Sequence, residues 1–585
     1  MHANKDMCFS GNQEVILMNW REEFEQCPSD SGGVMTYLAG SYCEKVDPAR
    51  AEAEELSGLF GQFVILRHDR RARILAVITD RFGMFPFYMA HDGQRIYLST
   101  DFYQLARKCD SKNSPDFEAL SDILAFNVPS GERTTSSKVT SFPGSVEVTI
   151  DLDTLAIRRR RLWNPVHLLA HANLLFDQVK DELVHLFLEG VKLATASHES
   201  VSVTLSGGAD SRCLLAASLH IGKETMTYST GVPGSRALSY ARRMADLCGV
   251  HASARPLDEN FVAGFGSLMQ KCNDTLQGMS FSSELEAMWL REGVAPEGVL
   301  LHGGFAELYK IGKMHNYHFD GKLKGMRGEA VSDHLWQRFA QRYDQRRQSF
   351  AAPYRAALGH HAQDHLADRV RHYQAELDTP GVLQMLYVDE FLGKVVKSSW
   401  QLWRQRIPTF FPFAYPPLVD LILWVRSSDK VGNDFVGHLL KHTNQRLARF
   451  PDSNTGVPIG ASWARREAVH VIDYATKRLF APKRAFDHQD FSHWLSSMPM
   501  DLDDLYDGLQ AEHGSFDMSR VRRLIRECRA GNDMASRTLH ILWSWSLLNK
   551  ERIVGSNDQS GHATPMAAIT VPQEMAGEET FAVDL

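Results

Sequence analysis

The chain has 585 residues, 44% of them hydrophobic and 23% charged, enough for two to four domains with substantial cores. A net charge of -7 supplies no bulk attraction for nucleic acid, and 8 cysteines with no CxxC spacing argue against a zinc site or a disulfide framework. No uninterrupted apolar run is long enough to span a bilayer and no basic-then-apolar signal segment opens the chain, so the expectation is a cytoplasmic protein with neither a membrane nor a nucleic-acid partner.

Residues 1–165 read as a β-rich domain. Strands are expected at 63–66, 74–78, 87–90, 96–98 and 146–150, separated by Asp, Gly and Arg turns, with helical spacing over 117–126. Arg158 to Arg161, and the arginines from 342 to 347, read as solvated faces or strand edges. From about residue 168 the texture changes. An amphipathic helix over 176–195 is followed by a strand at 201–205, a helix at 211–220, a strand at 225–229, a helix at 236–248 and a strand at 299–301. Strands alternating with helices predict a parallel sheet whose ligand crevice lies at the carboxyl ends of the strands. Residues 330–550 read as mostly helical, broken near 407–417 by Pro408, Pro412, Pro416 and Pro417. A tail at 554–585, rich in Ala, Gly, Ser and Glu, is expected to be disordered. The predicted domains are therefore 1–165 and 166–553.

The stretch from Val201 to Arg212 is the most informative. A β-branched run ends in Ser206-Gly207-Gly208, and an apolar helical pattern follows. Such a turn lets backbone N–H groups converge on an anion at a helix N-terminus, and two glycines let the main chain approach closely. Asp210 would repel a phosphate on its own, so it makes sense with a divalent cation between them. The loop reads as a site for a metal-bound nucleotide pyrophosphate.

Ser206-Gly207-Gly208-Ala209-Asp210-Ser211 after a hydrophobic strand resembles the pyrophosphate loop of the ATP pyrophosphatase group, which includes asparagine synthetase. The resemblance widens on both sides. Gly61-Gln62-Phe63-Val64, Asp80-Arg81-Phe82-Gly83-Met84-Phe85-Pro86-Phe87-Tyr88 and Ile96 to Thr100 are similar to the glutaminase half of class II amidotransferases of the asparagine synthetase type, and Ser141 to Gly144 with Trp163 to their linker. Ala241 to His251, His302-Gly303-Gly304-Phe305-Ala306-Glu307, and Arg406 through Asp420 resemble successive synthetase segments. The implied fold is an α+β Ntn-hydrolase-like sandwich followed by an α/β parallel-sheet, adenine-nucleotide-α-hydrolase-like domain with a helical C-terminal part.

The resemblance implies an ATP- and Mg2+-dependent ligase that adenylates a carboxylate, releasing pyrophosphate, and then joins it to an amine with loss of AMP. Ser206, Gly207, Gly208 and Ser211 would bind phosphates, and Asp210 and Glu307 the metal. Leu205 with Tyr228 and Ser229 would line the nucleoside pocket, Gly303 would lie under the adenylate, and Lys441 would neutralise the leaving pyrophosphate. Arg212 stands where the family has a second serine, with no role assigned.

The glutaminase half departs from the pattern. Those enzymes use an N-terminal cysteine, and here position 2 is His2. Cys8 would come first only if translation began at Met7. No Arg-Gly-Pro-Asp segment occurs, and the Asn-Gly-Glu loop is reduced to Ala39-Gly40-Ser41-Tyr42. The expectation is a degenerate domain that makes no ammonia. Relatives of that kind, β-lactam synthetases and lasso peptide cyclases, use an amine already on a small-molecule or peptide substrate, the latter beside a partner peptidase; a carrier protein is a further conceivable partner. The alternatives are an amidotransferase fed by free or supplied ammonia, and a nucleotide-binding pseudoenzyme.

Overall fold

The computed structural model describes residues 6–18, 24–27, 33–109, 115–281, 284–452, 456–459, 461, 501–510 and 514–557. Its strands are β1 (Met7–Ser10), β2 (Glu14–Met18), β3 (Glu25–Gln26), β4 (Val34–Tyr42), β5 (Gly61–Asp69), β6 (Ile74–Thr79), β7 (Tyr88–His91), β8 (Arg95–Ser99), β9 (Val139–Ser141), β10 (Val146–Asp151), β11 (Ile157–Arg161), β12 (Ser200–Thr204), β13 (Glu224–Gly231), β14 (His251–Pro256), β15 (Val299–Leu301) and β16 (Thr409–Phe410).

The first eleven strands form two sheets, ordered β1-β2-β8-β7-β9 and β11-β10-β6-β5-β4-β3. Neighbours are antiparallel except β2 and β8. Their inner faces share one apolar cluster: Val15 and Leu17 from the first sheet meet Val64, Leu66, Val77, Val148 and Ile150 from the second. Alternation explains the register. In β10 Val146, Val148 and Ile150 point inward, while Glu147, Thr149 and Asp151 are only half-buried. β5 is buried on both faces from Gln62 to Leu66, because Phe63 and Ile65 pack on a second cluster with Ala53, Leu56 and Leu59.

The turn after β6 is organised by one carboxylate. Asp80 is fully buried and accepts backbone N–H groups from Phe63 at 3.3 Å, Phe82 at 3.1 Å, Met84 at 3.0 Å and Phe85 at 2.9 Å. Burial pushes its acid form up, while those N–H groups and the Lys397 ammonium pull it down. Gly83 and Gly144 cross here: a Cβ on Gly144 would lie 2.4 Å from the carbonyl carbon of Phe82, so only glycine fits.

The remaining strands build a parallel sheet ordered β14-β13-β12-β15-β16. Both faces are covered. Val201, Val203, Val299 and Leu301 join the main cluster with Cys213, Leu214 and Leu215 of the helix Ala209–His220. Leu300 turns the other way, toward Tyr228, Leu290, Trp403 and Ile407. Such two-sided burial explains why β12 reads as a nearly continuous apolar run.

Several expectations need correction. β1 to β4, β9, β14 and β16 go beyond the expected strands; β16 lies inside the proline-interrupted stretch, as an edge strand where proline is tolerated. Ala39 to Tyr42 form no loop, being the paired end of β4 opposite Gly61 to Val64. Arg158 to Arg161 do lie on an exposed edge strand, but Arg346 is buried, donating at 2.8 Å to both Leu124 O and Asn127 Oδ1. The helix Asp533–Asn557 carries through the start of the expected tail; residues 558–585, and 462–500 of the expected helical region, lie outside the described residues. Among the described residues, no helix is long and apolar enough to cross a membrane.

Asp80→Asn would turn an amide NH2 toward a ring of N–H donors. The expected cost is about 2–4 kcal/mol of stability, read as a lower urea midpoint; an unchanged midpoint would show that the carboxylate does not organise the turn.

Candidate functional site

The chain order of the parallel sheet reverses at β12. β13 and β14 extend it to one side, β15 and β16 to the other. Loops leaving β12 and β15 at their carboxyl ends therefore diverge and open a crevice, the usual ligand position in open α/β sheets. Two segments flank it here: Leu205 to Ser211, and His302 to Lys310.

The first segment is a tight turn into a helix. Gly207 sits at φ +80°, where a side chain would be strained, and Gly208 is the extended residue before the helix Ala209–His220. Ser206 N–H donates to Ser211 Oγ at 3.2 Å, Gly208 N–H donates to Ser206 Oγ at 3.4 Å, and the two hydroxyls are 3.2 Å apart. N–H groups and hydroxyls thus gather at the positive end of a helix dipole. Gly303 closes over it: a Cβ there would lie 3.3 Å from Asp210 Cβ.

The second segment begins with His302, whose N–H donates to Phe410 O at 3.0 Å and whose Nδ1 accepts from Gly304 N–H at 3.1 Å. Burial lowers its imidazole to about 4, so the ring is a neutral acceptor. Phe305 adopts φ +73°, ψ -15°, which costs a non-glycine residue on the order of 1 kcal/mol. It starts the 3-10 turn Ala306–Tyr309, its carbonyl accepting from Leu308 N–H at 3.0 Å.

That turn brings two charges to Asp210. Lys310 is buried and its Nζ donates to Asp210 Oδ1 at 2.5 Å. Burial alone would depress the ammonium, yet Asp210 and then Glu307 hold it above the usual lysine range. Glu307 is raised to about 7, chiefly by burial, against the pull of Lys310 and of His315 N–H, which donates to Oε2 at 2.8 Å. The Tyr387 side chain lies beside the same carboxylate and also pulls it down. Tyr387 opens a π-helical segment, Tyr387–Val396, and stacks on Phe391 at 5.0 Å. Irregular helices of this kind recur at functional sites.

The structure thus brings Ser206, Gly207, Gly208, Asp210, Ser211, Gly303 and Glu307 to one crevice. Leu205 and Ser229 lie at its base, bonded to each other: Ser229 Oγ donates to Leu205 O at 2.8 Å, and Leu205 N–H donates to Tyr228 O at 2.8 Å. Lys441 is not brought there. It is exposed on the last turn of the helix Asp434–Thr443, whose His442 ring lies 5.9 Å from that of His220, at the far end of the helix that begins beside Asp210. At 1.5 Å per residue, that is about 15 Å from the loop. Lys310 is the cation the sequence reading missed; a lysine three residues after Glu307, flanked by Tyr309 and Ile311, was its only signal. Three or more His, Cys, Asp or Glu side chains gather nowhere among the described residues as a metal cage would need. A cation here would rely on Asp210, Glu307 and phosphate oxygens together, as magnesium sites in nucleotide enzymes do.

Arg212 has a structural role. Fully buried, it donates from Nη1 to Phe450 O at 2.7 Å and Leu447 O at 3.3 Å, and from Nη2 to Pro451 O at 2.8 Å and Gly207 O at 3.2 Å. It ties the 447–451 segment to the glycine turn. In the N-terminal half, Cys8 sits on the exposed edge strand β1, paired with Ile16. Burial and Glu14 push its thiol up, the opposite of activation.

Residues 49–163 match the glutamine amidotransferase domain family. The span takes in the Asp80 turn, β5 to β11 and Trp163, so this sheet-rich unit has an amidotransferase-type fold, as an asparagine-synthetase-like enzyme would carry. No curated protein matches the chain.

Arg212→Met keeps the length of the side chain but leaves four carbonyls without their donor. The expected loss is about 3 kcal/mol, with faster proteolysis near residue 450, and Arg212→Lys restores little of it because an ammonium cannot fork between four acceptors. Wild-type urea midpoints for both variants would refute that role.

Proposed function

We propose that the chain is an ATP-dependent, AMP-forming ligase that makes an amide bond. The observation that carries this reading is the meeting, across the β12/β15 crevice, of a glycine turn at a helix N-terminus with the buried Lys310 and the half-buried carboxylates of Asp210 and Glu307. In this reading a carboxylate oxygen of the substrate attacks the α-phosphorus, the bridging P–O bond breaks and pyrophosphate departs. An amine nitrogen then attacks the acyl carbon, the C–N bond forms, AMP leaves, and the amine proton passes to a base.

The roles divide by chemistry. The Ser206 and Gly208 N–H groups and the Ser206 and Ser211 hydroxyls suit phosphate oxygens, which would replace the hydroxyl acceptors they now use. Asp210 and Glu307 would hold Mg2+, which when bound neutralises charge on the departing pyrophosphate. Lys310, not Lys441, is the ammonium placed to meet phosphate, since exchanging its carboxylate partner for a phosphate keeps a buried cation paired. Leu205 and Ser229 would form the floor beneath the nucleoside, and Gly303 leaves room above Asp210.

In this reading the amine is carried by the substrate, a small molecule or a peptide closed into a macrolactam, supported by a Cys8 thiol that burial and Glu14 push up on the edge strand β1. The amidotransferase-type match of residues 49–163 favours a second reading, in which ammonia is the amine. Glutamate release from glutamine would select the second; AMP formation that depends on an amine-bearing acid, and not on glutamine or ammonium, selects the first.

The test of the nucleotide site uses two ligands. Asp210→Asn should weaken Mg2+-ATP binding roughly tenfold or more. Lys310→Met should weaken it as well, yet strengthen binding of Mn2+ alone, since it frees Asp210 from its ion pair. Lys441→Ala should leave both within about twofold, the range of an exposed, distant charge. Absence of any Mg2+-dependent ATP affinity in the wild-type chain would end the proposal.

A further inference from the structure

We infer that Phe82, in the amidotransferase-type domain, is a positioning residue for the nucleotide site: it holds Phe305 in its left-handed conformation, so that the following turn presents Glu307 and Lys310 to Asp210. The inference rests on the proposed nucleotide reading and concerns a contact between two parts of the chain far apart in sequence. The Phe82 ring meets Phe305 edge-on at 4.7 Å, and Trp163 at 5.5 Å. Trp163 is itself fixed, its Nε1–H donating to Asp420 Oδ1 at 2.9 Å while Arg81 Nη1 donates to the same oxygen at 2.6 Å and its guanidinium lies 4.9 Å over the indole.

The backbone of Phe82 is clamped on both sides. Its N–H goes to Asp80 Oδ1 at 3.1 Å, and Gly393 passes so close that a Cβ there would lie 2.6 Å from Phe82 O. A rigid turn therefore delivers a rigid ring. Phe305, 1% exposed, is the residue that needs support, because a side chain at φ +73° persists only where its surroundings over-determine it. Among the described residues, the rings against it are Phe82 and Phe411, the latter at 5.7 Å. Phe411 follows β16, in the same half of the chain as the crevice; of these two rings, Phe82 is the one from the other half. From Phe305 the path to the charges is two turn bonds: its carbonyl accepts from Leu308 N–H, and Glu307 O accepts from Lys310 N–H, both at 3.0 Å. The amidotransferase-type domain thereby takes a part in the chemistry of the other half.

The experiment is a double-mutant cycle in the full chain with Phe82→Ala, Phe305→Gly and the pair. Glycine takes positive φ without strain, so Phe305→Gly removes the need for the prop. Phe82→Ala is expected to weaken Mg2+-ATP binding roughly tenfold in the wild-type background and under about twofold in the Phe305→Gly background. Equal losses in both backgrounds would mean ordinary packing and overturn the inference, as would a folded Phe82→Ala with wild-type affinity. Should Phe82→Ala fail to fold, Phe82→Leu takes its place in the cycle. Hydrogen exchange separates this inference from the reading beneath it. Faster exchange at the Leu308 and Lys310 amides of the Phe82 variant, without nucleotide, is expected even if the chain binds no ATP, and unchanged exchange there defeats the inference alone.

Discussion

Because β13 and β14 lie to one side of β12 and β15 and β16 to the other, the connections leaving β12 and β15 must part above the sheet. No side chain chooses this; it follows from the order in which parallel strands are laid down. The two connections then differ in character. The one after β12 is short and ends in a helix, so it offers N–H groups. The one after β15 passes through a left-handed residue, Phe305, into a 3-10 turn, so it offers side chains, Glu307 and Lys310, toward Asp210. A donor-rich wall faces a charge-bearing wall, and in the proposed reading a polyanion with a cation would satisfy both at once.

The Asp210–Lys310 pair is a poor device for stability. A buried ion pair recovers its desolvation cost only with good geometry and further bonds, and an apolar pair of the same size would often serve a fold as well. Here the acid is a first-turn helix residue, favoured by the dipole, and the lysine sits in an otherwise apolar wall of Tyr309 and Ile311. Glu307 adds a second carboxylate next to the first, raised to about 7 because burial outweighs the help it receives. Charges held at this cost without contributing to packing are typical of sites built for a charged ligand.

Legibility from sequence followed the range of the interaction. The Ser206 to Ser211 turn was readable because its cause is local: apolar run, glycines and helix start lie within a dozen residues. The helices at 117–126, 176–195 and 236–248 were readable for the same reason, and the structure keeps those bounds. Lys310 was not, since its partner is 100 residues away and a lysine between apolar neighbours looks like any surface residue. Arg212 was opaque for the same reason, with three of its four acceptors more than 230 residues distant. β1 to β4 were missed because their alternation is short and mixed with polar residues; pairing supplies what propensity does not. Lys441, assigned by resemblance alone, lies exposed on the last turn of the helix Asp434–Thr443.

The sheet-rich domain and the parallel-sheet half share a core: the domain's inner residues belong to the same apolar cluster as the parallel sheet. Phe60 meets Phe410 at 5.8 Å and Tyr415 at 5.4 Å, Phe85 meets Trp400 at 5.9 Å, and Arg404 lies 5.0 Å over the Phe85 ring. The Asp80 carboxylate and the buried Lys397 ammonium, held down to about 8 chiefly by desolvation, face one another across the same boundary. Cutting the chain between β11 and β12 would expose these rings and strand a buried charge on each side, a penalty of the kind that unfolds marginal proteins.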